Sequence, residues 1–456
     1  MSLTRSGIAL VKSDVPRSEL DRMRRELTVS PVVTGNPFSQ FGQSFRVFHE
    51  TKTELYVPRH YFSSTKSIAW SGGEPARCPS LVFTGQLKKE TRQHEAVEAC
   101  AKAFQERGGG ILSLPTGFGK TTVALYVACQ LGLKTLVIAH KEFLIDQWIE
   151  RIHQFVPTAR IGRVQQDTCE TADKDIVVAM MQSVCSKDYG RAFDDFGLLI
   201  IDEVHHISAP TFCKSMYRAC CPYVLGLSAT PERKDGLTRV IEWFVGPVFF
   251  KIERKEQQHV RVSVVKYTCE AYGMPPPQTR SGTLNLPELI SRVCMDSARN
   301  RLVLNAIDKC VAQGRKTIVL SDRRNHCMDL LADLQARNID AALYIGGMKQ
   351  EARKESEKSN VIVATYSQAN EGLDIPSLNA LVMATPKSDV IQAVGRILRE
   401  ASGQANGHAP LVIDFLDDYG IFYAQFAKRR KYYASAGFDV LGSHPEPIAC
   451  AFLKDD

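Results

Sequence analysis

Leu114-Pro115-Thr116-Gly117-Phe118-Gly119-Lys120-Thr121 joins an apolar run, Gly110-Ile111-Leu112, to a helix-like run from Thr122 to Gln130. Strand, glycine-rich turn and helix in that order form the context of a phosphate-cradling P-loop. Gly117 and Gly119 let backbone N–H groups close around phosphate oxygens, and the next helix aims its positive N-terminus at the same charge. In this reading Lys120 reaches the β- and γ-phosphates and the Thr121 hydroxyl binds Mg²⁺. Pro115, Thr116 and Phe118 complete the loop. The strict pattern carries glycine where this chain has Leu114. A bland strand-to-helix turn with a chance Gly-Lys-Thr is the competing reading of this stretch alone.

The apolar run Leu198-Leu199-Ile200-Ile201 ends in Asp202-Glu203-Val204-His205-His206. Two carboxylates directly after a buried strand are costly unless they meet a cation. A phosphate-bound Mg²⁺ supplies one. Asp202 then holds the metal, and Glu203 orients and deprotonates an attacking water. An acidic helix cap explains the pair less well once the P-loop is counted. His205 and His206 have no Cys or His partner at zinc-ligand spacing. They are expected to couple the nucleotide site to its neighbours.

The rest of the first half continues the alternation of strands and helices. Thr135-Leu136-Val137-Ile138-Ala139 reads as a strand buried on both faces, with His140-Lys141 at its end and Phe143-Leu144-Ile145-Asp146-Gln147-Trp148 opening a helix. Ile176-Val177-Val178-Ala179 and Tyr223-Val224-Leu225-Gly226-Leu227 are further strands. The second of these ends in Ser228-Ala229-Thr230-Pro231, whose Ser228 and Thr230 hydroxyls can sense the acidic cluster. Gln93 opens a helical stretch upstream of the P-loop. Its amide can read an adenine edge, or it can be an exposed helix glutamine.

A second α/β series follows a charged and proline-rich break. Helices are expected over 291–312 and 328–337. Strands are expected at Thr317–Leu320, Ala341–Ile345, Val361–Ala364, Ala380–Ala384 and Leu411–Phe415. Val390–Arg399 reads as a helix carrying Gln392, Gly395, Arg396 and Arg399. The two arginines are three apart and share a face. They suit a polyphosphate whose charge grows in a transition state, or they form a solvated basic face. Lys428-Arg429-Arg430-Lys431 lies among aromatics and is open to two readings, base and phosphate binding or an amphipathic helix packed on this domain.

Composition is that of a globular protein, with a net charge of +7 that permits a nucleic-acid partner without demanding one. Thirteen scattered cysteines without a C-x-x-C predict a reducing compartment, buried thiols and no structural zinc. No apolar run reaches membrane-spanning length, and residues 1–30 lack the apolar core of a signal peptide. Residues 1–85 read as an N-terminal accessory unit with a charged helix near Asp21 and short strands at Phe45–Phe48 and Glu54–Val57. Arg46, Arg59 and Tyr61 there can touch a nucleic-acid backbone or belong to a solvated β-unit. The expected division is 1–85, a first nucleotide-binding domain at 86–250, a connecting segment at 251–285, a second domain at 286–435 and a tail at 436–456.

Taken in order, these pieces resemble a superfamily 2 helicase or translocase with two tandem RecA-like parallel-sheet domains. LPTGFGKT matches motif I, AHKEFLIDQW motif Ia, DEVHH motif II, SAT motif III, VLSDRR motif IV, ATYSQANEGLDIP motif V and QAVGRILR motif VI. Gln93 matches the Q motif. The forms HK-x-x-L-x-x-QW, DEVHH and EGLDIP-x-L resemble the XPB-type branch. They also resemble the transcript-release DNA helicases of large cytoplasmic DNA viruses and related phage helicases. Arg233-Lys234-Asp235 stands where XPB proteins carry Arg-Glu-Asp.

The resemblance implies an ATP- and Mg²⁺-dependent DNA helicase or translocase, with DNA favoured over RNA. Lys120, Thr121, Asp202 and Glu203 are implied to bind and hydrolyse ATP. Arg396 and Arg399 are implied arginine fingers, and Gly372 and Asp374 are implied to couple nucleotide state to strand contacts. Transcription machinery is the implied protein partner. A viral setting would place the protein in the host cytoplasm and in the virion. An RNA helicase and a non-catalytic ATP-switched clamp are the rival readings. The second domain argues against a P-loop kinase or transporter.

Overall fold

The computed structural model describes residues 1–32, 43–62, 68–88, 91–115, 117–206, 209–233, 235–252, 260–268, 275–280, 282–373, 375, 377–397 and 409–441. The chain divides into two compact units, Met1–Arg254 and Lys255–Asp456.

The first unit is built on an eight-stranded sheet. Its order is Thr168–Cys169, Ile161–Gln165, Ile176–Met180, Thr135–Ala139, Leu198–Ile201, Tyr223–Ser228, Gly109–Ser113 and Val248–Lys251. All neighbours are parallel except the antiparallel hairpin at the Thr168–Cys169 edge. The central strands are buried along their whole length, which is why they read as unbroken apolar runs. Helices follow the strands and cover both faces. The chain order places the ends of Gly109–Ser113 and Leu198–Ile201 on the same edge of the sheet, with Tyr223–Ser228 between them. That edge carries the P-loop and the acidic pair. The outer strands Ile161–Gln165, next to the edge, and Val248–Lys251, at the opposite edge, were not legible in sequence, because their half-buried residues give no continuous apolar run.

The N-terminal residues form a four-stranded antiparallel sheet, Ser2–Thr4, Gly7–Val11, Glu54–Val57 and His49–Glu50, beside the helix Arg17–Glu26. This small sheet shares one apolar core with the parallel sheet. Ile8, Leu10, Leu55 and Val57 pack in the same cluster as Ile111, Leu136 and Leu199. Arg59 points inward rather than to solvent. It donates to the carbonyls of Cys221 and Pro222 at 2.6 and 2.7 Å. Tyr61 donates to Glu26. Arg59 thus ties the N-terminal residues to the loop before Tyr223–Ser228, Tyr61 bonds within the N-terminal residues, and Arg46 is exposed.

The second unit has a seven-stranded, wholly parallel sheet. Its order is Ala341–Tyr344, Val361–Thr365, Thr317–Ser321, Ala380–Met383, Leu411–Asp417, Arg261–Tyr267 and Asp439–Leu441. The expected connector at 251–285 therefore contributes a strand, Arg261–Tyr267, hydrogen-bonded along Leu411–Asp417. Arg261, Ser263 and Lys266 interrupt its apolar positions, and charged flanks hid it in the sequence. The helix expected over 291–312 is two helices, Leu286–Met295 and Ser297–Ala312. Asp296 separates them, because its carboxylate accepts from the Ala298 and Arg299 amides and starts the second helix afresh. The start of the expected tail supplies the edge strand Asp439–Leu441.

Two buried ion pairs lock this second unit. Arg299 bonds Asp417 through Nε and Nη2 and also donates to the Ala384 carbonyl at 2.6 Å. Arg429 forks onto Asp414 at 2.8 Å in both bonds, and the Tyr433 hydroxyl donates to the same carboxylate at 2.9 Å. Arg429 is thus a core residue of the helix Gly420–Ser435, which follows the amphipathic reading of that segment. Lys428, Arg430 and Lys431 are exposed.

Candidate active site

The strand Gly109–Ser113 delivers the P-loop, and the helix Lys120–Leu131 leaves it. Leu114 is held in place by its amide, which donates to the Ser228 carbonyl at 3.0 Å. Gly117 and Gly119 take φ of 81° and 93°, the left-handed region that glycine tolerates. No side chain caps the helix N-terminus, so its first amides are available to an anion. Lys120 is the first helical residue and Thr121, half-buried, the second. Pro115 and Phe118 lie in the loop as expected. Thr116 lies outside the described residues.

Gln93 is almost fully buried. Its Oε1 accepts from the Lys88 amide at 2.7 Å, and its Nε2 donates to the Phe118 carbonyl at 2.6 Å. In this conformation both ends of the amide are engaged with the backbone, and Gln93 clamps the P-loop. A Cβ added at Gly119 would meet that same Nε2 at 2.8 Å.

The acidic pair stands at the end of Leu198–Ile201. The Asp202 amide donates to the Ile138 carbonyl at 3.0 Å, continuing the sheet bonding. Asp202 Oδ1 accepts from the Glu203 amide at 3.0 Å, and Oδ2 accepts from the Trp148 indole Nε1 at 2.9 Å. Burial, and after it the charge of Glu203, push the Asp202 carboxyl above its usual range. Glu203 has φ of 45°, a left-handed backbone for a non-glycine residue. Such strain is held only where the surroundings over-determine it. Here its Oε1 lies 3.1 Å from Lys120 Nζ, and both side chains are largely buried.

His205 joins this cluster to the neighbouring strand. Its Nδ1 is 2.6 Å from Ser228 Oγ and 3.4 Å from Glu203 Oε2. Ser228 Oγ also accepts from the Thr230 amide at 3.1 Å. Thr230 therefore enters through its backbone. The His206 side chain lies outside the described residues. Arg233 bonds Asp235 through Nε and Nη2 and donates from Nη1 to the His205 carbonyl at 2.9 Å. The two outer residues of the Arg-Lys-Asp segment thus brace the acidic cluster, and Lys234 lies outside the described residues.

The crowded carboxylates of Asp202 and Glu203 fit a divalent cation. With Thr121, Asp202 would hold Mg²⁺, which shields phosphate charge when bound. Among the described residues no group of three or more His, Cys, Asp and Glu side chains is arranged as a metal site. A Mg²⁺ shared with substrate phosphates needs only one or two protein carboxylates.

In the second unit, strand ends surround a cavity of about 310 Å³ lined by Asp322, Arg324, Gly346, Thr365, Tyr366, Ser367 and Lys387. Lys387 Nζ pairs with Asp322 Oδ1 at 2.8 Å. Ligands of open α/β sheets bind beyond such carboxyl ends. Arg396 sits on the helix Ile391–Ile397, almost fully buried, with Nη1 donating to the Leu373 carbonyl at 2.6 Å. It is not part of a solvated basic face. Gly372 ends the helix Tyr366–Gly372. Gln392 is in the Arg396 helix, its side chain outside the described residues, as are Asp374 and Arg399.

Sequence reasoning missed the contacts of Trp148 with Asp202 and of Lys387 with Asp322. Trp148 was legible only as the apolar end of a motif, and Lys387 as an unremarked residue after a strand.

The family described as type III restriction enzyme, res subunit, matches residues 86–233. The helicase conserved C-terminal domain matches residues 299–401. A putative ATP-dependent RNA helicase of Acanthamoeba polyphaga mimivirus is 31% identical over 452 residues, covering 96% of this chain and 86% of that protein. A putative ATP-dependent RNA helicase of African swine fever virus is 24% identical over 76% of this chain and 73% of that protein. A probable helicase of Escherichia phage T5 is 28% identical over 74% of each. In fold, the chain is similar to a Saccharomyces cerevisiae Dbp5 variant solved with RNA and ADP BeF3. The TM-score is 0.55 at 11% identity, over 76% of this chain and 89% of that one. Both parallel-sheet units are RecA-like helicase domains.

Proposed function

This chain belongs to the superfamily 2 helicases, and from that footing we propose that it couples ATP hydrolysis to movement along DNA in viral-type transcription or its termination. The helicase domains make it a nucleic-acid-dependent ATPase. The contact of Lys120 with Glu203, beside Asp202, carries the reading of the hydrolytic site. Phosphate oxygens arriving at the P-loop compete for Lys120. Its departure from Glu203 leaves a carboxylate able to orient and deprotonate water. Thr121 and Asp202 would hold Mg²⁺, which would shield phosphate charge. Arg396 and Arg399 supply positive charge to the transition state, and Gly372, Asp374 and Gln392 couple that state to strand contacts.

In the second unit, Arg324, Thr365, Ser367 and Lys387, with Asp322, line a cavity whose basic and hydroxyl groups could contact a backbone phosphate. A grip on phosphates is independent of sequence and weakens with salt. The preference for DNA rests on the XPB-type forms of motifs Ia, II and V. The names of the mimivirus and African swine fever virus relatives favour the second reading, an RNA helicase. The free thiols among the described residues suit a reducing compartment, with the host cytoplasm as the proposed site of action. No described helix is long and apolar enough to cross a membrane.

The test is ATP turnover without nucleic acid, then with single-stranded DNA, duplex DNA and RNA. Stimulation by DNA alone supports the proposal. Stimulation by RNA alone moves the substrate to RNA, and absence of turnover leaves an ATP-switched clamp.

A further inference from the structure

Trp148 lies on the helix Glu142–Phe155, which leaves the strand Thr135–Ala139 through His140 and Lys141. With Leu144, Ile145 and Ile152 it forms the buried face of that helix. Spacing of one to four residues places these side chains on one stripe, so apolar packing alone explains a large residue at position 148. Packing does not explain the indole nitrogen. Trp148 is only 2% exposed, and a buried indole N–H must find an acceptor. Its acceptor is the side chain of Asp202, 54 residues away, at 2.9 Å.

We propose that Trp148 is a positioning residue that holds the Asp202 carboxylate in the orientation in which it takes up the divalent cation. The two oxygens of Asp202 are separately held, Oδ2 by Trp148 and Oδ1 by the Glu203 amide. Each oxygen keeps a lone pair, while rotation of the carboxylate about its Cβ–Cγ bond is blocked. The choice of donor matters. Lysine or arginine in this place would bring a positive charge that competes with the cation for Asp202 and adds to Lys120. The indole N–H gives direction and stabilises the ionised carboxylate without a charge. Fixed orientation of a ligating group by an outer hydrogen bond is worth about 10- to 100-fold in metal affinity. The bond also links the helix that begins after His140 and Lys141 to the metal side of the site.

This inference rests on the reading of Asp202 as a Mg²⁺ ligand. The test uses Mn²⁺ as the probe, titrated into the full chain with saturating ADP and followed by its electron paramagnetic resonance signal. Trp148→Phe removes the N–H and some volume. Replacement of Trp148 by 3-benzothienylalanine removes the N–H while keeping the bicyclic shape. The expected result is an increase of about tenfold or more in the Mn²⁺ dissociation constant for both variants, with metal-free ADP affinity unchanged. Wild-type Mn²⁺ affinity in the benzothienylalanine protein overturns the proposal, and a defect confined to Trp148→Phe overturns it too by assigning the effect to packing. Asp202→Asn separates the two levels. If it weakens Mn²⁺ and the Trp148 variants do not, only the positioning role falls. If Asp202→Asn leaves Mn²⁺ affinity intact, the assignment of Asp202 itself is wrong.

Discussion

Lys120 Nζ lies 3.1 Å from Glu203 Oε1, so the P-loop cation and the acidic strand end, 83 residues apart in sequence, touch. The pair is largely shielded from water. Its charges are therefore screened less than those of a surface pair. In the proposed function this is the contact that arriving phosphate would break.

Lys120→Ala should abolish ATP hydrolysis and leave nucleic-acid binding largely intact, since in this reading Lys120 faces the nucleotide. Steady-state turnover and a filter-binding titration check the two halves. Glu203→Gln should keep ATP binding and lower turnover by about 10²–10⁴-fold, the usual contribution of a positioned general base. Unchanged turnover in Glu203→Gln would remove it from the chemistry.

Gly119→Ala should weaken nucleotide binding. The site has φ of 93°, and the added Cβ would meet Gln93 Nε2 at 2.8 Å. A left-handed backbone costs a non-glycine residue about 1–2 kcal/mol, and Gln93 must also release the Phe118 carbonyl. Fluorescent ADP binding should fall while the fold, read by circular dichroism, persists. Gln93→Ala should reproduce part of the loss without the backbone strain.

His326 gives the second unit a pH dependence. Its ring is buried, with Nδ1 3.0 Å from Ser321 Oγ and Nε2 3.0 Å from Asn300 Oδ1. Burial, with the charge of Arg299 adding to it, lowers its pKa from 6.5 to about 4. The unfolded chain then takes up a proton that the folded unit refuses. Its stability contribution is full above pH 6.5 and falls as the pH drops toward about 4. The whole window amounts to about 3 kcal/mol. Urea unfolding between pH 7 and pH 5 should show the midpoint falling, and His326→Gln should flatten that slope. An equal slope in the variant would assign it to other groups.

Asp414→Ala should destabilise the second unit severely. It leaves the Arg429 guanidinium buried without its carboxylate and strips the Tyr433 hydroxyl of its acceptor. Breaking one side of a buried pair costs about 3–5 kcal/mol. A joint replacement of Asp414 and Arg429 by apolar residues of similar volume should recover much of the loss. Thermal unfolding of the single and double variants measures both.

Two parallel α/β series, the P-loop, the acidic strand end and the helix of Arg396 were all legible in the chain. Strands buried on both faces must be continuously apolar, and the chemistry of phosphate and Mg²⁺ demands particular residues directly after them. Local patterns of that kind survive without any knowledge of contacts. Where the pattern is broken by charge, as at Arg261–Tyr267, or too short, as at Asp439–Leu441, only hydrogen bonding to Leu411–Asp417 and to its neighbour made a strand. The same holds for side chains whose role depends on a distant partner. Arg59 and Arg429 look like surface bases in sequence, but carbonyls of Cys221 and Pro222 and the carboxylate of Asp414 draw them inside. Gln93 is open in sequence to an adenine contact or an exposed helix position, and the fold buries it and ties its amide to the backbone of Lys88 and Phe118. Trp148 looks like core until its one polar atom meets Asp202. Sequence alone determined which chemistry the chain carries, because residue type and strand position decide that. Tertiary structure decided which charges face water and which hold the site in place, because burial without a partner is too costly to stand.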